Sequence, residues 1–191
     1  MLKKIRDIID SSISVKSQIL KDEGLILKIQ EVAMVMVEAF RNSKRVYFCG
    51  NGGSAADAQH LAAELSGRFY IDRDALPAEA LHSNSSYLTA VANDYDYDII
   101  YSRLVKGTMQ AGDVLVGIST SGNSTNIIKA FEAALNKKII TVGLTGASGG
   151  VMKGLSNFLL NVPSTDTPRI QESHILIGHI ICQLVEELYF G

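Results

Sequence analysis

Ile5, Ile8, Ile9, Ile13, Ile19 and Leu20 fall at helical spacing, so residues 2–21 predict an amphipathic helix that Asp22-Glu23-Gly24 interrupts. Residues 25–41 predict a second helix whose middle, Val32 to Val37, is apolar almost all round, whereas a surface helix needs only one apolar stripe. The surplus fits either packing against a second protomer or a central place in the core. From Lys44 onward the pattern alternates. Strands are predicted at 45–49, 77–81, 113–118, 139–144 and 157–162, with helices at 54–66, 84–92, 97–110, 124–136 and 168–189. Continuous apolar runs such as Val114 to Ile118 and Ile139 to Val142 suit strands covered on both faces of a parallel sheet. The expectation is an α/β chain with an open, doubly wound, five-stranded sheet, forming one domain over 1–191. Within it, 1–42 is a helical hairpin and 43–191 the α/β core.

A net charge of −2, with basic residues scattered and no run longer than a doublet such as Lys3-Lys4 or Lys137-Lys138, gives no electrostatic reason to expect nucleic acid or an anionic membrane as partner. Asp7 and Asp10 interrupt any leader-like start, and no apolar run approaches the roughly 18 residues of a membrane span. A cytoplasmic protein is expected. Cys49 and Cys182 lie in apolar surroundings without metal-type spacing and read as buried free thiols.

Two segments carry the candidate chemistry. The strand at 45–49 runs into Gly50-Asn51-Gly52-Gly53-Ser54 at the start of an alanine-rich helix. Glycines there let backbone amides approach an anion, Ser54 can cap the helix, and the helix dipole favours negative charge. The strand at 113–118 runs into Ser119-Thr120-Ser121-Gly122-Asn123-Ser124, four hydroxyls at another helix start. Neither loop fits the dinucleotide or P-loop pattern. Both follow strand ends, where parallel sheets bind ligands, so together they favour a phosphorylated ligand. His60 and Glu64 are one helical turn apart and share a face, as a metal pair or an oriented base requires. Asn93-Asp94 reads locally as a helix end, His82 as structural, and His179, in its apolar segment, as a core histidine. Thr167-Pro168 reads as the start of the last helix.

The segments 49–60, 92–94, 119–124 and 169–172 (Arg-Ile-Gln-Glu) together closely resemble the phosphoheptose isomerase family of the sugar isomerase (SIS) domain superfamily. The resemblance covers essentially the whole chain. It implies a flavodoxin-like fold and a homotetramer whose N-terminal helices form a central bundle. It also implies conversion of D-sedoheptulose 7-phosphate to D-glycero-D-manno-heptose 7-phosphate, a first step toward the activated heptose of lipopolysaccharide or other surface polysaccharides. On matching positions, Asn51, Gly52, Gly53, Asn93 and Asp94 would contact substrate and Ser119, Thr120, Ser121 and Ser124 would hold its phosphate. His60, Glu64, Gln171 and His179 would be associated with one zinc ion per subunit, with Glu64 and Gln171 also facing substrate. Glu64 and His179 would be the acid–base pair.

Those residue types suit the chemistry. Moving a carbonyl from C2 to C1 needs a base at carbon and a second group at the oxygens, through an enediol. A carboxylate bound to zinc is, however, a poorer base. Gln171 and His179 are also about 12 Å apart along a straight helix at 1.5 Å per residue, which argues for a donor set completed at a subunit interface. The alternatives are isomerisation of another phosphosugar, or a non-catalytic binding protein of the same fold that associates with a replication initiator. Such binding proteins lack the acid and imidazole that this chain carries at Glu64 and His179.

Overall fold

A computed structural model describes residues 1–191. Helix α1 (Leu2–Lys21) and helix α2 (Glu23–Arg41) form the N-terminal hairpin, separated at Asp22, whose carboxylate accepts from the Leu25 amide and caps α2. The remainder alternates as β1 (Val46–Gly50), α3 (Gly53–Ser66), β2 (Ala78–Ala80), α4 (Ser85–Asp94) and α5 (Ile100–Thr108). It continues with β3 (Val114–Ile118), α6 (Thr125–Asn136), β4 (Ile140–Thr145), β5 (Phe158–Asn161) and α7 (Thr167–Phe190). A 3₁₀ turn at Tyr97–Ile99 leads into α5, so the long helix expected over 97–110 is shorter and begins irregularly. The last helix begins at Thr167, with Pro168 in its first turn, where the missing N–H costs nothing.

All five strands are parallel, in the order β2-β1-β3-β4-β5. This is the flavodoxin-like order, with its switch point between β1 and β3. Alternate strand residues feed two cores. Val46, Phe48, Val114, Val116, Ile118, Val142, Leu144 and Leu160 pack on the side of α2, α3 and α7. Tyr47, Cys49 and Leu115 pack on the side that holds α5 and α6. Burial on both faces explains the unbroken apolar runs in the sequence.

Helix α2 lies within the first core through Leu25, Ile29, Val32, Ala33, Met36, Val37 and Phe40. Much of its surplus apolar surface is therefore intramolecular, while Leu27 and Met34 remain exposed. Helix α1 presents Leu2, Ile5, Ile8, Ile9 and Ile13 to solvent. Both cysteines are free and buried. No helix is long and apolar enough to cross a membrane.

Candidate active site

The two loops meet where the strand order reverses. After β1 the chain turns at Gly52, whose φ of 55° is in the left-handed region that glycine enters freely, and α3 begins at Gly53. Ser54 is the second residue of α3 and buried. The cap is Gly52, so Ser54 does not supply the side-chain cap expected from sequence. No side chain caps α6 either; Ser124 precedes it, with its hydroxyl 2.9 Å from that of Ser119. The Ser121 hydroxyl accepts from the Asn123 amide at 3.1 Å and shapes the turn. Both helix starts thus keep amide ends and hydroxyls together at the carboxyl edge of the sheet, an arrangement suited to an anion.

Asn51 is held by a reciprocal amide pair. Its Nδ2 donates to Asn126 Oδ1 and Asn126 Nδ2 donates back to Asn51 Oδ1, each at 2.9 Å, with the Tyr97 hydroxyl adding a third bond at 3.1 Å. Nothing in the local sequence pattern joins Asn126 or Tyr97 to the first loop, so neither is expected there from sequence. A cleft of about 270 Å³ opens beside Thr120, Ser121 and Asn123 and is closed by Ser148, Ser164, Thr165 and Thr167. The hydroxyls at 164, 165 and 167 also follow a strand, the same signal that marks the first two loops, although Thr167-Pro168 by itself announces only a helix start. A larger hollow of about 530 Å³, near Arg45, Tyr47, Glu79 and Asp113, contains none of these residues.

Helices α3 and α7 bring the titratable groups together. The Gln171 amide nitrogen lies 2.7 Å from where a Cβ on Gly53 would stand, so the start of α7 faces the start of α3. Two turns along each helix, His60 Nε2 is 3.0 Å from His179 Nε2 and 3.2 Å from Glu64 Oε1. Side-by-side helices running in the same sense place the eighth residue after Gln171 level with the seventh after Gly53. Gly178 lets them approach, since a Cβ there would stand 2.5 Å from Leu61 Cδ1.

His179 is therefore at the site rather than in the core. Of the four residues expected around zinc, His60, Glu64 and His179 converge within one chain. Gln171 approaches from the glycine loop and forms no hydrogen bond with those three side chains. The three donor atoms lie within 4.8 Å of one another. Two imidazole nitrogens and one carboxylate oxygen so spaced fit a zinc-type site with a position left for substrate or water.

Asp57, one turn before His60, has its carboxyl pushed up by burial, with His60 and His179 acting in the opposite direction. Asn93 donates to Asp94 Oδ1 at 3.0 Å in the last turn of α4. Both residues are exposed, and neither bonds to the loops or to the three donors. His82 has its pKa lowered by burial. In the 169–172 motif, Arg169 Nη1 donates to Ile8 O at 3.0 Å, Ser12 donates to Glu172 at 2.7 Å, and Arg169 pairs with Glu172. These contacts tie the hairpin to α7 while Gln171 faces the loop. The Ser12 hydroxyl holds the Glu172 carboxyl below its ordinary pKa.

Residues 9–146 match the SIS domain family. The chain is 54% identical over 97% of its length to a phosphoheptose isomerase from Aneurinibacillus thermoaerophilus, covering 94% of that protein. It is 53% identical over its full length to one from Sulfurimonas denitrificans, covering 98% of it. The solved structure of a phosphoheptose isomerase from Francisella tularensis superposes with a TM-score of 0.93 at 36% identity, over 97% of this chain and 98% of that one. With its fold, its paired loops and half its residues shared along nearly the whole length, the chain belongs to the SIS domain family and to the phosphoheptose isomerases within it.

Proposed function

We propose that this chain is the aldose–ketose isomerase that converts D-sedoheptulose 7-phosphate to D-glycero-D-manno-heptose 7-phosphate. The observation that carries the reading is the convergence of His60, Glu64 and His179 on the helix that starts at the glycine loop. The phosphate is held by Ser119, Thr120, Ser121 and Ser124 and by the amide end of α6. Asn51, Gly52, Gly53 and Gln171 line the sugar, and Asn93 and Asp94 reach it from α4.

Glu64 takes the proton from C1 of the ketose while His179 gives a proton to O2, leaving the neutral enediol. The proton on Glu64 exchanges with solvent before Glu64 protonates C2, and His179 takes the proton from O1, which leaves the aldehyde at C1. Each such group typically contributes about 10²–10⁴-fold. His60, Glu64 and His179 would hold a zinc ion, with Gln171 two turns away at the glycine loop, and the ion when bound polarises the carbonyl or orders the imidazoles. In the same reading the protein works in the cytoplasm as a homotetramer built on its N-terminal helices. Its product supplies activated heptose for lipopolysaccharide or another surface polysaccharide.

Proton NMR of the purified protein with sedoheptulose 7-phosphate in deuterated water tests the reaction. The expected result is growth of aldose anomeric signals with deuterium at the new C2. No conversion in the presence of added zinc, with the protein folded, would sink the heptose assignment.

A further inference from the structure

The register between α3 and α7 has a third level beyond Gly53–Gln171 and His60–His179. Glu186 lies two turns after His179 on the same side of α7, since seven residues nearly complete two turns. Its carboxylate is buried and accepts from the backbone amides of Tyr70 at 3.1 Å and Ile71 at 2.6 Å. Those amides belong to the strap 67–77, which leads from the end of α3 to β2. Arg73 of the strap folds back onto α3. Its Nη2 donates to Glu64 O at 2.8 Å, and its Nη1 donates to Leu65 O at 2.8 Å, Gly67 O at 3.1 Å and Asp74 O at 3.0 Å. Arg73 Nε stands 3.8 Å from Glu186 Oε2, and the two side chains are only 2% and 3% exposed. The Phe190 ring covers the guanidinium at 5.4 Å.

The last carbonyls of a helix have no partner within it, and a cation is favoured at that end. A planar guanidinium can span several of them at once, which an ammonium cannot. Burying such a pair is weak evidence of a device for stability, because desolvation offsets much of the attraction. What the pair does fix is position. One of the carbonyls it holds belongs to Glu64, whose carboxylate stands 3.2 Å from His60. The same strap lays Phe69 against the His179 ring, with centroids 5.5 Å apart. A single segment therefore touches the main chain of one acid–base residue and the ring of the other.

We infer that Arg73, anchored by Glu186, is a positioning residue for the isomerisation: it locks the last turn of α3 against α7 so that Glu64 and His179 address the same pair of substrate carbons. The inference rests on the acid–base reading of those two residues.

Arg73→Lys keeps the charge and loses the fork, and Glu186→Gln keeps the shape and loses the anchor's charge. Both are assayed with sedoheptulose 7-phosphate alongside Glu64→Gln, with folding checked by circular dichroism. For the folded Arg73→Lys protein, kcat is expected to fall by about 10- to 100-fold, the usual consequence of a reacting group displaced by an ångström. KM stays within threefold, because the phosphate loops lie at the other end of α3. Glu186→Gln loses kcat in the same way but by less. Guanidinium added at low millimolar concentration to Arg73→Ala restores part of kcat, and ammonium does not. A kcat within threefold of the parent in both folded variants, or a loss confined to KM, overturns the inference while leaving an inactive Glu64→Gln to support the reading beneath it. Full turnover by Glu64→Gln overturns both.

Discussion

His174 and His179 share one helix and have opposite surroundings. His174 is fully buried, its Nε2–H donates to Thr145 O at 3.1 Å, and burial lowers its pKa to about 4. The folded protein thus keeps this ring neutral, whereas the unfolded chain protonates it near the ordinary value of about 6.5. Between those pH values the unfolded state binds the extra proton, so stability is complete above the upper value and is lost as pH falls toward the lower. The loss amounts to roughly 3 kcal/mol by pH 4. Thermal melts between pH 7 and pH 4 should show a steeper decline for the parent than for His174→Gln, which can still donate to Thr145. Parallel curves would place the acid sensitivity elsewhere. His179 is instead only half-buried and stands 3.0 Å from His60. Glu64 is the sharper test at this scale. Glu64→Gln keeps the volume and loses the base, so turnover should fall about 10²- to 10⁴-fold with little change in melting temperature. Initial rates from the NMR assay measure it, and a fall of less than tenfold would remove Glu64 from the proton transfer.

The helix pair α3–α7 is the element that turns loops and titratable groups into one site, and Gly178 sets its spacing. In a helix interior, alanine is ordinarily favoured over glycine by about 1 kcal/mol. At this position the added methyl would stand 2.5 Å from Leu61 Cδ1, in packed core. Overpacking of this kind costs about 1–3 kcal/mol, so Gly178→Ala should be net destabilising or neutral in urea titrations, and kcat should fall because His179 follows directly. A gain of stability with full activity would mean that the helices have room to spare. The same element shows what the sequence could reveal. Strands such as Val114–Ile118 were legible because burial on both faces writes itself as an unbroken apolar run, and His60–Glu64 because one helical turn joins them. His60–His179, Asn51–Asn126 and Arg73–Glu186 join residues from distant elements. No local period encodes such pairs; only the register between packed elements creates them. Ser54 failed as a cap for a related reason, since the left-handed turn at Gly52 starts the helix two residues earlier than the hydroxyl requires.

On the scale of the whole molecule, the hairpin is more apolar outside than one chain needs. Leu2, Ile5, Ile9 and Ile13 recur at steps of three and four and are each about half or more exposed, and on α2 Leu27 and Met34 are also exposed. Fully burying an isoleucine is worth about 1.5–3 kcal/mol, so a stripe of four offers a driving force that a monomer leaves unused. The inner side of α1 is already secured by Val15, Ile19 and the contacts of Ile8 and Ser12 with Arg169 and Glu172. The double variant Ile9→Glu, Ile13→Glu should therefore stay folded but sediment as a smaller species than the parent, which is expected at four times the 20.7 kDa of one chain. A monomeric parent would refute the assembly, and an unchanged variant would move the interface off this stripe. Because His60, Glu64 and His179 come from one chain, the dissociated variant should still bind Zn²⁺ in a chelator competition. Retained zinc affinity with lost turnover would then mean that a neighbouring protomer contributes to substrate rather than to the metal donors. Retained turnover would make the single chain sufficient for catalysis, and the bundle a matter of stability alone.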